Sequence, residues 1–227
     1  MALASVRAAT PADVDEIIRI QTLTWRTAYA ELIPEAAVQR LSGPAARQAW
    51  LAAVAAGDGN HMLVATEGEW TVGFCAATRA DAAAHDDPGG LTDGSGAAEV
   101  DGGPGQQAVD ELGDHGLIVA MLVEPRWGRR GHGTRLFEAV ITALRGDGAP
   151  VGAAWVPEKD VASRAFYDRK GGWEADGMMR VLDAGDRELR EIRLVGPLEL
   201  PKPPAGIVGL DLFDLDPTDP SDPSAPI

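Results

Sequence analysis

The chain has 227 residues, 45% of them hydrophobic, enough for one good-sized buried core. Its formal net charge of −15 gives general nucleic-acid binding no electrostatic support. No apolar run reaches the ~18 residues of a membrane span, the first residues lack a basic-then-apolar leader pattern, and the single cysteine excludes an internal disulfide. The expectation is a cytoplasmic protein with neither a membrane nor a nucleic-acid partner.

Val6 to Ala9 reads as a short strand. Thr10 and Pro11 then supply an N-cap and a proline at the first helical position, with Asp13 near the positive helix end. Val14, Ile17, Ile18, Gln21 and Trp25 recur at helical spacing, and two more helical stretches follow, Pro34 to Leu41 and Pro44 to Ala56. His61 to Thr66 and Trp70 to Thr78 form a predicted hairpin across Gly68. Cys75 falls in its apolar run and is expected in the core rather than as a nucleophile. Residues 81–114 then carry nine Asp or Glu and no Lys or Arg, with many Gly and Ala. They have little to bury and predict a mobile loop, with disorder favoured over an ordered lid.

Leu117 to Val123 has the length and β-branched content of a buried strand, and Pro125 ends it. Gly128, Gly131 and Gly133 follow, interleaved with Arg129, Arg130 and His132. A helix begins at once, with Leu136, Phe137, Val140, Ile141 and Leu144 on one face. Strand, basic glycine turn and helix together can hold a pyrophosphate. The first helical turn has unpaired N–H groups and the positive dipole end, glycines admit close approach, and arginines add charge-assisted hydrogen bonds. The bland alternative is a glycine turn with solvated arginines. A Walker A loop is excluded because Thr134 and Arg135, not Lys and Ser or Thr, follow Gly133. The dinucleotide fingerprint is excluded because the glycines run G-x-x-G-x-G. Val151 to Val156 reads as the next strand. A helix then runs from Asp160 as N-cap, with Val161, Ala165 and Phe166 as its core positions, to a stop at Gly171 and Gly172. Residues 197–227 carry six acids and only Lys202, with repeated Asp-Pro pairs. This tail and the 81–114 segment contribute −5 and −9 of the net −15, so the remaining chain is near neutral.

The glycine order, the strand before it and the later pattern Asp160, Ser163, Phe166-Tyr167, Gly172-Trp173 resemble the GNAT superfamily of N-acetyltransferases. The resemblance spans Val6 to about Val195, outside the acidic segment, and is firmest over Leu117 to Trp173. It implies an α/β fold whose mixed central sheet is splayed between its fourth and fifth strands and flanked by helices. Residues 1–196 would form one acetyltransferase domain with an acidic insert at about 80–114, followed by the acidic Pro-rich tail 197–227. It also implies acetyl transfer from acetyl-CoA, as co-substrate, to a primary amine by direct attack in a ternary complex.

By the same resemblance, Met121, Leu122 and Val123 would bind the pantetheine arm. Arg129, Arg130, Gly131, His132, Gly133 and Thr134 would hold the pyrophosphate, with Asp160 and Ser163 as further cofactor contacts. Tyr167 would protonate the leaving thiolate; its alternative role is a packed helix tyrosine. Trp25 and Tyr29, within Thr24 to Pro34, look like the acceptor side. The His132 side chain is expected to pack as an ordinary loop residue. No His, Cys or carboxylate cluster has metal-ligand spacing, and Ser163 lacks a serine-hydrolase context.

Three positions depart from the family pattern. Gly128 stands where Arg or Gln commonly opens the loop, Asp160 replaces Asn, and Leu117 fills the place of a Glu that often serves as base. Glu111, Asp114 and His115 lie just upstream, in apparent loop, and Glu124 is expected to face solvent. These departures keep a second class open: a non-catalytic acyl-CoA-binding or protein-interaction module of the same fold. The sequence leaves the acceptor, a small-molecule or peptide amine, and the choice between monomer and homodimer undecided.

Overall fold

The computed structural model describes residues 3–80, 112, 114–184 and 187–199. Nearly all of the acidic insert and the tail from residue 200 onward lie outside the described residues, so the expectations for them fall there too.

Strand β1 (Ala4–Ala8) leads through a 3₁₀ turn (Pro11–Asp13) into helix α1 (Val14–Ala28). The Asp13 carboxylate fixes that corner. It accepts from the Thr10 amide and hydroxyl, each at 2.8 Å, and from both terminal nitrogens of Arg7 at 2.8 Å. Helices α2 (Glu35–Arg40) and α3 (Pro44–Ala55) follow, then the hairpin β2 (Asn60–Glu67) and β3 (Trp70–Ala80). After the insert come β4 (His115–Val123), a 3₁₀ turn (Pro125–Trp127) and α4 (His132–Gly146). The chain continues through β5 (Val151–Pro157), α5 (Val161–Gly171), β6 (Glu174–Asp183) and β7 (Glu188–Pro197).

The strands form one mixed sheet of seven in the order β1-β2-β3-β4-β5-β7-β6. Among the described residues the single parallel pair is β4 with β5, as a strand–helix–strand crossover through α4 requires. Helices cover both faces. Leu136, Phe137, Val140, Ile141 and Leu144, the predicted apolar face of α4, are all buried against one side. Val14, Ile17 and Ile20 of α1 and Trp50 of α3 pack on Met62, Val64, Phe74 and Ala76 on the other. A third cluster joins Tyr29, Ile33 and Val38 to Leu182 and Leu189 of the last hairpin. Cys75 is fully buried in β3, and burial pushes its thiol far up, as a core cysteine requires. No described helix is long and apolar enough to cross a membrane.

Three expectations change. His115 is the first residue of β4, paired with Ala80 and buried, rather than part of a loop. Val161, the first residue of α5, is 70% exposed; Phe166 still packs against the core, half-buried. Glu124 is not solvated: it is 2% exposed. Its backbone amide continues the sheet by donating to Val72, which turns the carboxylate inward onto Arg19 of α1 at 2.9 Å, with Arg126 on its other oxygen.

Candidate active site

The site begins where the sheet fails to close. β4 and β5 pair over only three rows, Gly116–Gly152, Leu117–Ala153 and Ile118–Ala154, and then diverge. A bulge beside Val119 in β4 coincides with the divergence: Ile118 pairs with Ala77 and Ala120 with Ala76, leaving Val119 over. The edge of β4 that faces β5 therefore runs open from Val119 to Val123, although its other edge stays paired to β3 as far as Val123. An extended, amide-bearing ligand can pair with such an edge. Ile118 to Leu122 form one wall of the resulting cleft and Trp155 to Pro157 the other; Trp25 and Tyr29 of α1, and Ser163 and Tyr167 of α5, close it.

At the far end of β4 lies the glycine loop. Gly131 adopts φ 83°, the left-handed region that a side chain disfavours, and caps α4. The other left-handed residue of the loop is Arg129, at φ 60°; Gly128 has an ordinary φ of −58°, though a Cβ there would stand 3.1 Å from the Pro125 carbonyl oxygen. A Cβ on Gly133 would stand 3.5 Å from the Phe166 ring and 3.9 Å from Val123, ordinary contact distances. None of the backbone amides from Arg129 to Thr134 donates to another described residue, and no side chain caps the helix. Six N–H groups at a helix start form a cradle for an anion.

The loop side chains are less free than the sequence implied. His132 is buried, with Nε2 2.8 Å from Glu67 of β2 and its ring edge-on to Trp127. Its packing role holds, which leaves its backbone amide as the group available to a ligand. Arg130 donates to the same Glu67 at 3.1 Å and lies 4.8 Å over the Trp127 ring. Arg129 is exposed.

Tyr167 sits on the cleft face of α5. Its ring stacks on Trp173 at 5.3 Å and meets Phe137 edge-on at 5.8 Å. Trp173 is itself a fixed plate. It lies where a Cβ on Gly152 or Gly196 would come within 2.3 Å of it, and its indole donates to the Pro197 carbonyl at 3.0 Å. The Gly172-Trp173 motif thus supports the tyrosine, with Gly172 ending α5 at φ 64°. The Tyr167 hydroxyl donates to no described residue. Burial above all, and then the charges of Cys75, Tyr29 and Asp160, raise its phenol well above the ordinary range, so it stays a neutral donor.

Asp160 and Ser163 are placed together but largely satisfy each other. The Asp160 carboxylate accepts from the Ser163 amide at 2.9 Å and hydroxyl at 2.6 Å, and from the Tyr29 hydroxyl at 2.5 Å. It caps α5 and ties α1 to the cleft. Burial first, and this bond second, raise the Tyr29 phenol. Trp25 tilts against Tyr29 at 5.1 Å, so the two expected acceptor-side residues do line the cleft. The cleft residues not singled out as site residues from sequence include Gln21, Trp155, Arg180, Leu182 and Glu191. Gln21 was visible on the helical face of α1; the others needed the β5–β7–β6 ladder. Among the described residues no group of three His, Cys, Asp or Glu could hold a metal ion.

No curated protein matches the sequence. Among solved structures, the chain is similar to the PaiA N-acetyltransferase of Thermoplasma acidophilum in complex with coenzyme A, with TM-score 0.58 and 11% identity over 86% of this chain and 99% of that one. It is similar to yncA of Salmonella typhimurium with its cofactor acetyl-CoA, at TM-score 0.57 and 19% identity over 86% and 94%. It is also similar to the ribosomal-protein-alanine N-acetyltransferase of Brucella melitensis, at TM-score 0.58 and 20% identity over 85% and 99%. At these identities the likeness speaks for the fold. The family model described as "Acetyltransferase (GNAT) family" matches residues 18–173, which include the splayed strands, the glycine loop and the Tyr167 helix, and the chain belongs to that family.

Proposed function

We propose that the protein is an acetyl-CoA-dependent N-acetyltransferase that acts on a primary amine by direct attack in a ternary complex. The observation that carries the reading is the run of unpartnered amides from Arg129 to Thr134, continuous with the open edge of β4. That surface fits a pyrophosphate followed by an extended pantetheine. The loop amides, with Arg129 nearby, hold the phosphates, and the backbone of Met121 to Val123 pairs with the amides of the arm. Asp160 and Ser163 act through the start of α5, beside the thioester end.

The reaction forms a nitrogen–carbon bond and breaks the carbon–sulfur bond. An acceptor that arrives as an ammonium sheds two protons on becoming an amide. Tyr167 gives its hydroxyl proton to the departing sulfur; one of the two amine protons restores the phenol and the other leaves to water. The phenol, raised by burial, is protonated at neutral pH as an ordinary phenol would be, so its role as donor rests on its place in the cleft rather than on that shift. Trp25 and Tyr29 bound the acceptor side.

Incubating the protein with acetyl-CoA and a panel of primary amines, and following free thiol, tests the reading. Amine-dependent thiol release, with the acetylated amine identified by mass, is expected. Acetyl-CoA binding without turnover of any amine would instead identify a non-catalytic acyl-CoA-binding module of the same fold.

A further inference from the structure

The last hairpin brings two opposite charges into the cleft that acetyl transfer itself does not require. Among the described residues that line it, the charged side chains are Arg180 and Glu191. They face each other across the β6–β7 ladder, and Nε and Nη2 of Arg180 both lie 2.7 Å from Oε2 of Glu191. Glu191 is 6% exposed, whereas a third of the Arg180 side chain remains open. The Arg180 guanidinium is held in place by the Trp155 ring of β5, 4.8 Å from its centroid. Glu191 stands opposite Pro157, at the end of β5 that diverges from β4. Its charge also reaches Tyr29, where it contributes to the raised phenol.

A close ion pair in a half-dry cleft selects its ligand by charge pattern. A simple cationic amine that approaches Glu191 also meets Arg180, and a simple anion that approaches Arg180 also meets Glu191. A molecule that carries both charges a few bonds apart meets an opposite charge at each end. It turns the pair into an alternating array of four, and both groups of the protein stay compensated, as buried charges require. We propose that Arg180 and Glu191 form the acceptor subsite, and that the acceptor is a zwitterionic amine of the amino-acid type, its free carboxylate on Arg180 and its ammonium on Glu191. Trp25 and Leu182 supply apolar surface for the rest of that molecule. The inference rests on the acetyltransferase reading above and adds the class of acceptor to it.

The test uses the full chain, saturated with acetyl-CoA, and three matched sets of acceptors: free α-amino acids, their carboxamides, and the corresponding decarboxylated amines. The expected result is that at least one free acid exceeds its amide and its amine in kcat/KM by about tenfold or more, because a site built to pair a charged group rejects analogues that lack it. Arg180→Met keeps a long side chain over Trp155; it should abolish that preference and raise KM for the free acid about tenfold or more. Acetyl-CoA affinity, measured separately by calorimetry, should not change. Glu191→Gln should lower kcat/KM for acid and amide alike, since both present the amine. Melting curves of both variants check folding, and the comparison of acceptors on the native chain needs no variant. Amides or decarboxylated amines used as well as the free acids would overturn the inference and leave the acetyltransferase reading standing. An undiminished preference in Arg180→Met would do the same. Failure to bind acetyl-CoA, or to acetylate any amine, removes the acetyltransferase reading and this inference with it.

Discussion

Replacing Tyr167 with Phe removes one oxygen from the cleft and little else. The ring contacts with Trp173, Phe137 and Phe166 need only the aromatic plane, so packing survives. The hydroxyl donates to no described residue, so its loss breaks no internal hydrogen bond, and stability should change by less than about 1 kcal/mol. Catalysis should respond very differently. The phenol is buried and held neutral, and a positioned proton donor of this kind contributes roughly 10²–10⁴-fold. The assay is steady-state thiol release with the best amine of the panel, alongside calorimetric titration of acetyl-CoA. The expected pattern is a fall in kcat of about 100-fold or more with acetyl-CoA affinity unchanged, the mark of an interaction made only in the transition state. A kcat within about twofold of the native protein would refute the reasoning, leaving Tyr167 as a packing residue and water as the acid.

Asp160→Ala removes the α5 cap and the Tyr29 bond together and should cost roughly 1–3 kcal/mol, read as a lower melting temperature, whereas Asp160→Asn should retain most of the cap. Asp13 supplies an acid limb to stability. Its bond to Arg7 lowers its carboxyl from 3.8 to about 2, so the stabilisation is complete above the unfolded value and disappears as pH falls through about 2. Denaturant titrations should therefore find Asp13→Asn less stable by roughly 1–2 kcal/mol at neutral pH, discounted for the exposure of Arg7, with the difference closing near pH 2. We also propose that the tail end is dispensable to the core, on the ground of its Asp- and Pro-rich composition. A chain ending before Asp214 should melt within about 2 °C of the full one, and a larger drop would show that the tail packs.

The middle of the chain was legible because its signals are local. The apolar run of β4, the amphipathic face of α4 and the Asp160 cap each lie within a dozen residues, and all recur in the structure. The β6–β7 hairpin went unread because β6 is an edge strand whose residues mostly face solvent. Met179 and Val181 are exposed, and a bulge around Gly177 breaks the alternation. Missing that hairpin meant missing Arg180 and Glu191 as cleft residues. Glu124 was misjudged for a related reason: its partner, Arg19, lies on α1, far away in sequence. Within the loop, spacing pointed to the glycines as the flexible positions, yet Arg129 rather than Gly128 takes the second left-handed conformation. A pattern of residue types marks that a loop is special without assigning dihedral angles to its members.

The account stands most directly on whether the glycine loop is a cofactor cradle, and calorimetric titration of acetyl-CoA into the native chain and Gly131→Val measures this. The left-handed backbone at Gly131 strains any β-branched replacement by roughly 1–3 kcal/mol and tilts the amides around it. The account predicts saturable one-to-one binding to the native chain, and binding about tenfold or more weaker in a variant that still folds. Equal affinity in the two proteins, or no binding to the native chain, would contradict it.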